Sequence, residues 1–293
     1  GLGDVYKRQG SGGVDSKALD KDRQPFARVP YRVAPPESPE SSARSRGFKF
    51  AVVTAIAAAM SGVSRIVVTE SGQGALGPVL VRTAHAYPDY RVHPAFSRKV
   101  ERLFEALTGH VVRYEYPRLW HTKGETLADA MALTQPPDFK RTRSCWQSAQ
   151  HASVDGARRQ CGVCAACMLR RLSMFTAGIE EPSDTYVWEN LGVSDFDSGA
   201  AATFQRHTPA LREHGIAGVL HMDNLAALAS PYAQPRLVRR VARLTADALG
   251  EDEALVLEKT QALLGRHAEE WRRFVAAQGH RSFVARYAAS AAA

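Results

Sequence analysis

Between residues 47 and 70 the chain reads GFKFAVVTAIAAAMSG and then SRIVVTE. The first run is apolar, alanine-rich and stopped by a glycine, which predicts a helix; the second is a β-branched run of strand length, which predicts a buried strand of the parallel type. The same alternation recurs downstream. HPAFSRKVERLFEALTG places Phe96, Val100, Leu103, Phe104 and Leu107 at helical spacing before stopping at Gly109, and HVVRYEYP follows as a second strand. TKGETLADAMAL predicts a short helix opening at Thr122. Helices alternating with β-branched strands predict an α/β fold, a parallel sheet flanked by helices, whose ligands gather beyond the carboxyl ends of the strands.

From about residue 195 the pattern is helical only: Leu237, Val238, Val241 and Leu244, then Leu255, Leu263, Leu264, Trp271 and Phe274, recur on helical faces with Gly250 and Gly279 as stops. The predicted organisation is an α/β domain over 10–190 followed by a helical C-terminal region over 191–293. Upstream, residues 17–46 are rich in Pro, Ser and charge and read mostly as loop, with at most a short strand from Ala27 to Val33. Residues 1–9, GLGDVYKRQ, resemble translated adaptor read-through and are set aside as a non-native prefix, so an N-terminally truncated chain is expected. No internal repeat is visible.

A hydrophobic share of 45% and a charged share of 23% over 293 residues suit a globular protein with a substantial core and exclude a chain dominated by disorder. The formal charge of +8 favours polyanionic partners, although much of the excess is arginine on the C-terminal helices, where a solvated face reads as well. The apolar run AVVTAIAAAM is far short of the roughly 20 residues that cross a bilayer. No membrane association is expected, and the location is expected to be cytoplasmic. Four cysteines in such a chain point to metal ligation or catalysis more than to disulfides.

Two motifs carry chemistry. In Ser11-Gly12-Gly13-Val14-Asp15-Ser16, glycines admit positive φ and let backbone N–H groups approach a phosphate, while the hydroxyls add donors. SGGxDS is the signature of the ATP pyrophosphatases, which hold pyrophosphate with it as ATP adenylates a substrate. In that superfamily a buried strand leads into the loop; here the lead-in is the suspect prefix and the exit is KALDKDRQP. The second motif is Cys145, Cys161, Cys164 and Cys167, spaced C-x15-CGVCAAC. Thiolates two residues apart wrap one tetrahedral ion and a glycine permits the tight knuckle, so zinc is the expected metal over 145–167. An iron–sulfur cluster is the metal-centred alternative, and four unrelated buried cysteines the other.

Around these cysteines the chain runs PRLWHTKGETL, RSCW and CGVCAACMLRRLSMFTAGIEEPSDTY, and further upstream YPDYR followed by Phe96. Over residues 44–186 this resembles the 7-cyano-7-deazaguanine synthase (QueC) family. Its pattern joins a Pro-Leu strand end, a Thr-Lys-x-Glu helix start, Ser-Cys, CGxCxxC, an Arg, a Phe-x-x-Ala-Gly turn and a final Tyr. The resemblance implies an adenine-nucleotide α-hydrolase-like fold with a zinc knuckle. It also implies a ligase that uses ATP and Mg2+ to adenylate 7-carboxy-7-deazaguanine and convert it with ammonia, through the amide, to the nitrile. Lys123 would offset phosphate charge and Asp89 would meet the guanine-like edge; Ser11, Gly12, Gly13, Asp15, Ser16, Arg46 and Glu70 would hold the nucleotide.

Four features depart from that pattern. Tyr90 stands in place of a cysteine, the gap from Cys145 to Cys161 is long, ESGQGALGP occupies an expected acidic loop, and roughly a hundred helical residues follow Tyr186. These leave room for a related protein of anti-phage defence type acting on another carboxylate or a macromolecule, and for a non-catalytic, zinc-stabilised binding protein. A tRNA-thiolating pyrophosphatase fits less well, since no cysteine is spare. The expected partners are ATP and a small deazapurine; nucleic acid is admitted by the charge but not favoured, and a homodimer is compatible with the sequence.

Overall fold

The computed structural model of the chain describes residues 43–83, 87–134, 139, 142–147 and 152–289, with side chains from Gly47 to Ala288. In order, the elements are α1 (Ala43–Met60), β1 (Arg65–Val67), α2 (Gly72–Ala75), α3 (Gly77–Leu80), α4 (Pro94–Thr108), β2 (Arg113–Glu115), α5 (Lys123–Met131), β3 (Ser153–Val154), β4 (Ala157–Arg158), α6 (Ala165–Thr176), α7 (Pro209–Ala227), α8 (Pro235–Leu249), α9 (Glu253–Gln278) and α10 (Phe283–Ala289). They form two compact units. The first takes the described residues up to Thr69 and Arg91–Pro117; the second takes Glu70–Tyr90 and the chain from Arg118 onward.

The first unit is a small α/β layer. β1 and β2 pair in parallel, with Arg65 opposite Arg113, Ile66 opposite Tyr114 and Val67 opposite Glu115. Ala51, Ala55, Ala58, Ile66, Val68, Val100, Phe104, Val112 and Tyr114 make its core. The expected parallel pairing is present, but each strand is three residues long and buries only its middle side chain. Period-2 burial of this kind marks a strand covered on one face, where a continuous apolar run had predicted cover on both. The Tyr114 hydroxyl donates to the Ala51 carbonyl at 2.6 Å and its N–H donates to the buried Glu101 carboxylate at 2.7 Å, pinning α1 and α4 to β2. α4 starts on the His93 cap, whose ring accepts from the Ala95 N–H, and ends at Gly109 with φ 72°. That is the left-handed C-cap the sequence predicted.

The second unit is helical apart from the β3–β4 hairpin and isolated bridges. Its core runs from the cysteine segment through Met168 and Leu172 of α6, Trp188, Val219 and Met222 of α7, Trp271 and Phe274 of α9, and Phe283 of α10. Trp188 is fully enclosed, its indole N–H donating to the Phe196 carbonyl at 2.8 Å. Thr122 caps α5 in a reciprocal box, its hydroxyl accepting from the Glu125 N–H at 3.0 Å and the Glu125 carboxylate accepting from the Thr122 N–H at 2.7 Å.

The ESGQGALGP stretch, which stands where an acidic loop is expected from the resemblance, forms the one-turn helices α2 and α3 with Ser71, Gly72 and Gln73 buried. Gly72 is why this turn can sit so deep. A Cβ there would lie 2.2 Å from the Leu119 carbonyl oxygen and 2.4 Å from Leu263, so any larger residue would drive the turn out of the core.

Candidate functional site

The four cysteines arrive from two directions. Cys145 lies on an irregular segment, whereas Cys161 and Cys164 form a knuckle entering α6, of which Cys164 is the N-cap and Cys167 lies in the first turn. All are free thiols, three of them buried, and their sulfurs lie within 4.8 Å of one another. An ion held tetrahedrally at about 2.3 Å from each sulfur requires sulfur–sulfur edges of about 3.8 Å. The Cys161–Cys167 edge is 3.8 Å.

The backbone already serves thiolates here. The Cys161 N–H points at the Cys145 sulfur at 3.1 Å, the Cys164 N–H at the Cys161 sulfur at 3.3 Å and the Gln147 N–H at the Cys145 sulfur at 3.4 Å. Hydrogen bonding from the Cys161, Cys164 and Cys167 thiols drives the Cys145 thiol far below its ordinary range, while burial pushes Cys167 well above it. Four crowded sulfurs cannot all ionise without a cation among them, and the donor set suits a soft or borderline divalent ion such as zinc.

Gly162 makes the knuckle. Its φ is +88°, and a Cβ there would meet the Trp188 carbonyl at 3.0 Å and the Arg171 guanidinium at 3.2 Å. Arg171 stacks over the Tyr186 ring at 3.9 Å and donates to the Trp188 carbonyl. Gln160 accepts from the Ser144 and Cys145 N–H groups at 2.7 and 3.2 Å, tying the first ligand to the segment that leads into the others. The Nε and Nη2 of Arg143 and the Nε of Arg171 are buried without a hydrogen-bond partner among the described residues.

A second constellation forms around Lys123 and Glu70, which pair at 2.8 Å, both partly exposed. Burial alone would raise the Glu70 carboxyl, but the Lys123 charge and donors from Lys123 and Ser71 hold it below its ordinary range. Lys123 is the first residue of α5, and its N–H donates to Gln73 Oε1 at 2.7 Å. The other end of the Gln73 amide donates to Glu270 Oε2 at 3.1 Å and meets His267 Nδ1 at 2.9 Å. The Thr122 hydroxyl donates to Glu270 Oε1 at 2.5 Å.

Because the Gln73 amide donates to His267 Nδ1, the imidazole is neutral with its proton on Nε2, which donates to the Met222 carbonyl at 2.9 Å. Burial agrees, holding His267 down to about 4, and it raises the Glu270 carboxyl.

Of the predicted site residues, the fold brings together the four cysteines and, separately, Lys123 with Glu70. Asp89 is half-buried and tethered by its N–H to the Pro78 carbonyl at 3.0 Å. Ser11, Gly12, Gly13, Asp15 and Ser16 lie outside the described residues, as does the side chain of Arg46. His267 and Glu270 were missed. A signal for both existed: they fall on the same helical face as Leu263, Leu264, Trp271 and Phe274, so a carboxylate and an imidazole interrupt an apolar stripe.

Residues 39–178 match the family model described as "Queuosine biosynthesis protein QueC". Curated relatives include the 7-cyano-7-deazaguanine synthase of Nitrosococcus oceani, 33% identical over 102 residues that make up 33% of this chain and 41% of that one. They also include the synthases of an Anaeromyxobacter species and of Cupriavidus taiwanensis, each 35% identical over 102 residues, 33% of this chain and 39% and 40% of theirs. The chain thus spans about two fifths of the length of the curated relatives it matches. No solved structure matches. Both constellations begin inside the matched segment, with the four cysteines, Glu70, Gln73 and Lys123 all within it. Through residues 39–178 the chain is similar to the QueC family.

Proposed function

We propose that the chain is a zinc-containing, ATP-dependent carbon–nitrogen ligase of the 7-cyano-7-deazaguanine synthase type. It activates 7-carboxy-7-deazaguanine as an acyl-adenylate and converts it with ammonia to the amide and then the nitrile. The observation that carries this reading is the four-sulfur centre within the QueC-family segment. Cys145, Cys161, Cys164 and Cys167 would hold the zinc, which would supply a structural cross-link between α6 and the segment of Cys145. With four protein ligands no position is left open for catalysis, as is usual for structural zinc.

In this reading Lys123 meets the negative charge that develops as pyrophosphate departs, and Glu70 holds the ammonium in place until phosphate competes for it. Asp89 accepts from the amino-bearing edge of the deazapurine. Ser11, Gly12, Gly13, Asp15 and Ser16 hold the phosphates of ATP, with Mg2+ as counter-ion, and Arg46 and Glu70 complete the nucleotide site.

Release of pyrophosphate from ATP, measured with and without 7-carboxy-7-deazaguanine, tests the proposal. Release that needs this acid, and that falls by about 100-fold or more in Lys123→Ala, is expected. No release from a folded, zinc-loaded protein would sink the enzyme reading in favour of a binding protein. A second reading keeps the chemistry and changes the carboxylate, which becomes another acid or a macromolecular terminus. Its support is the helical chain beyond the matched segment, whose α9 supplies Glu270 and His267 to the Lys123 constellation. Release that needs a macromolecular carboxylate would select it.

A further inference from the structure

Four thiolates around a divalent ion carry a net charge of −2, and three of these four cysteines are buried. An uncompensated charge of that size inside a protein is costly, and metal sites commonly recruit surrounding donors that neutralise and orient their ligands. Two guanidinium groups are in place to do this. Arg143 lies two residues before Cys145, on the segment whose next two N–H groups are fixed to Gln160. Arg171 lies one turn beyond Cys167 on α6, with a guanidinium nitrogen against Gly162 of the knuckle. Both expose buried N–H donors to no partner among the described residues, an arrangement that is expensive for an arginine unless something anionic sits beside it.

We propose that Arg143 and Arg171 are the counter-charges of the cysteine-bound metal, bringing the centre of net −2 to neutrality and donating from their orphaned N–H groups toward the thiolates. The inference rests on the metal reading above and concerns residues to which nothing yet assigns a role. Burial works against both guanidinium charges, joined at Arg143 by the like charge of Arg158, and the cysteine sulfurs act in the opposite sense on each. Arg159 provides an internal contrast: it is close in sequence but already satisfied by Glu189 at 2.5 Å and by the Tyr186 carbonyl at 3.2 Å. Arg171 has structural duties at Tyr186 and Trp188, so Arg143 is the cleaner probe.

The test loads the full chain with zinc and follows its transfer to a chromophoric chelator in the parent, Arg143→Met, Arg143→Lys and Arg159→Met. Arg143→Met is expected to hold zinc about 10- to 100-fold more weakly. Arg143→Lys should recover part of the loss, and Arg159→Met should match the parent. Substitution with cobalt(II) gives a second readout. The thiolate-to-cobalt bands of Arg143→Met should keep the four-sulfur pattern, which separates loss of counter-charge from collapse of the site. Unchanged zinc affinity in Arg143→Met, or an equal loss in Arg159→Met, would overturn the assignment. A parent chain that binds neither zinc nor cobalt would instead defeat the underlying metal reading.

Discussion

Replacing Glu270 with alanine probes whether the C-terminal helix organises the Lys123 constellation. The carboxylate accepts from two buried donors, the Thr122 hydroxyl at 2.5 Å and the Gln73 amide at 3.1 Å, and is itself 7% exposed. Its removal orphans the Thr122 donor outright, at about 1–3 kcal/mol, and leaves the Gln73 amide with His267 alone, at about 0.5–1.5 kcal/mol more. The expected loss is therefore about 2–4 kcal/mol, measured by urea unfolding of the zinc-loaded full chain at constant m-value.

Glu270→Gln keeps the volume and adds a pH signature. Burial raises the carboxyl in the folded state, so its contribution to stability is present at acid pH and lost as pH rises through the folded value. The stability gap between parent and Glu270→Gln should shrink from pH 5 to pH 8. An alanine variant within about 0.5 kcal/mol of the parent, or a gap that widens with pH, would refute the reasoning.

Cys164→Ser should abolish stoichiometric zinc in elemental analysis and lower the thermal midpoint, because it breaks a buried donor set; retention of the metal would show that the sulfurs are not its ligands. Gly162→Ala, at φ +88° and 3.0 Å from the Trp188 carbonyl, should cost about 1–3 kcal/mol and weaken metal retention, read by unfolding and chelator competition. His93, His221 and His267 are each held down to about 4, chiefly by burial, so the unfolded chain binds protons first. Stability should be full above about pH 6.5 and fall as pH drops toward 4, by about 3 kcal/mol for each neutral histidine; a flat profile over that window would contradict their neutral burial.

Elements whose signals are local were legible in the sequence. α4, with its glycine stop, and α5, with its Thr122 cap, stand where periodicity and capping chemistry placed them, and the C-x15-CGVCAAC spacing did bring four sulfurs together. β1 and β2 were legible in kind but not in cover, since a β-branched run does not reveal how many layers pack on it. The buried turns of ESGQGALGP were not legible because glycine carries no local signal for depth, whereas at Gly72 the absent side chain is what lets the turn pack against Leu119 and Leu263. His267 and Glu270 escaped because their partner Gln73 is nearly 200 residues away, and nothing in a local window announces a hydrogen bond of that separation.

α9 has a practical meaning for anyone who would trim or graft this protein. One face of the helix supplies Trp271 and Phe274 to the packing around the cysteines, and the same turns present His267 and Glu270 to Gln73 and Thr122. Ending the chain near residue 190 would bare Met168, Leu172 and Trp188 to water and strip the hydrogen-bond acceptors from Thr122 and Gln73 in one cut. Transplanting a tail from a relative would succeed only if positions 73, 122, 267 and 270 travelled as a set. Substitutions at His267 and Glu270 are therefore expected to be rescued by matching changes at Gln73 and Thr122.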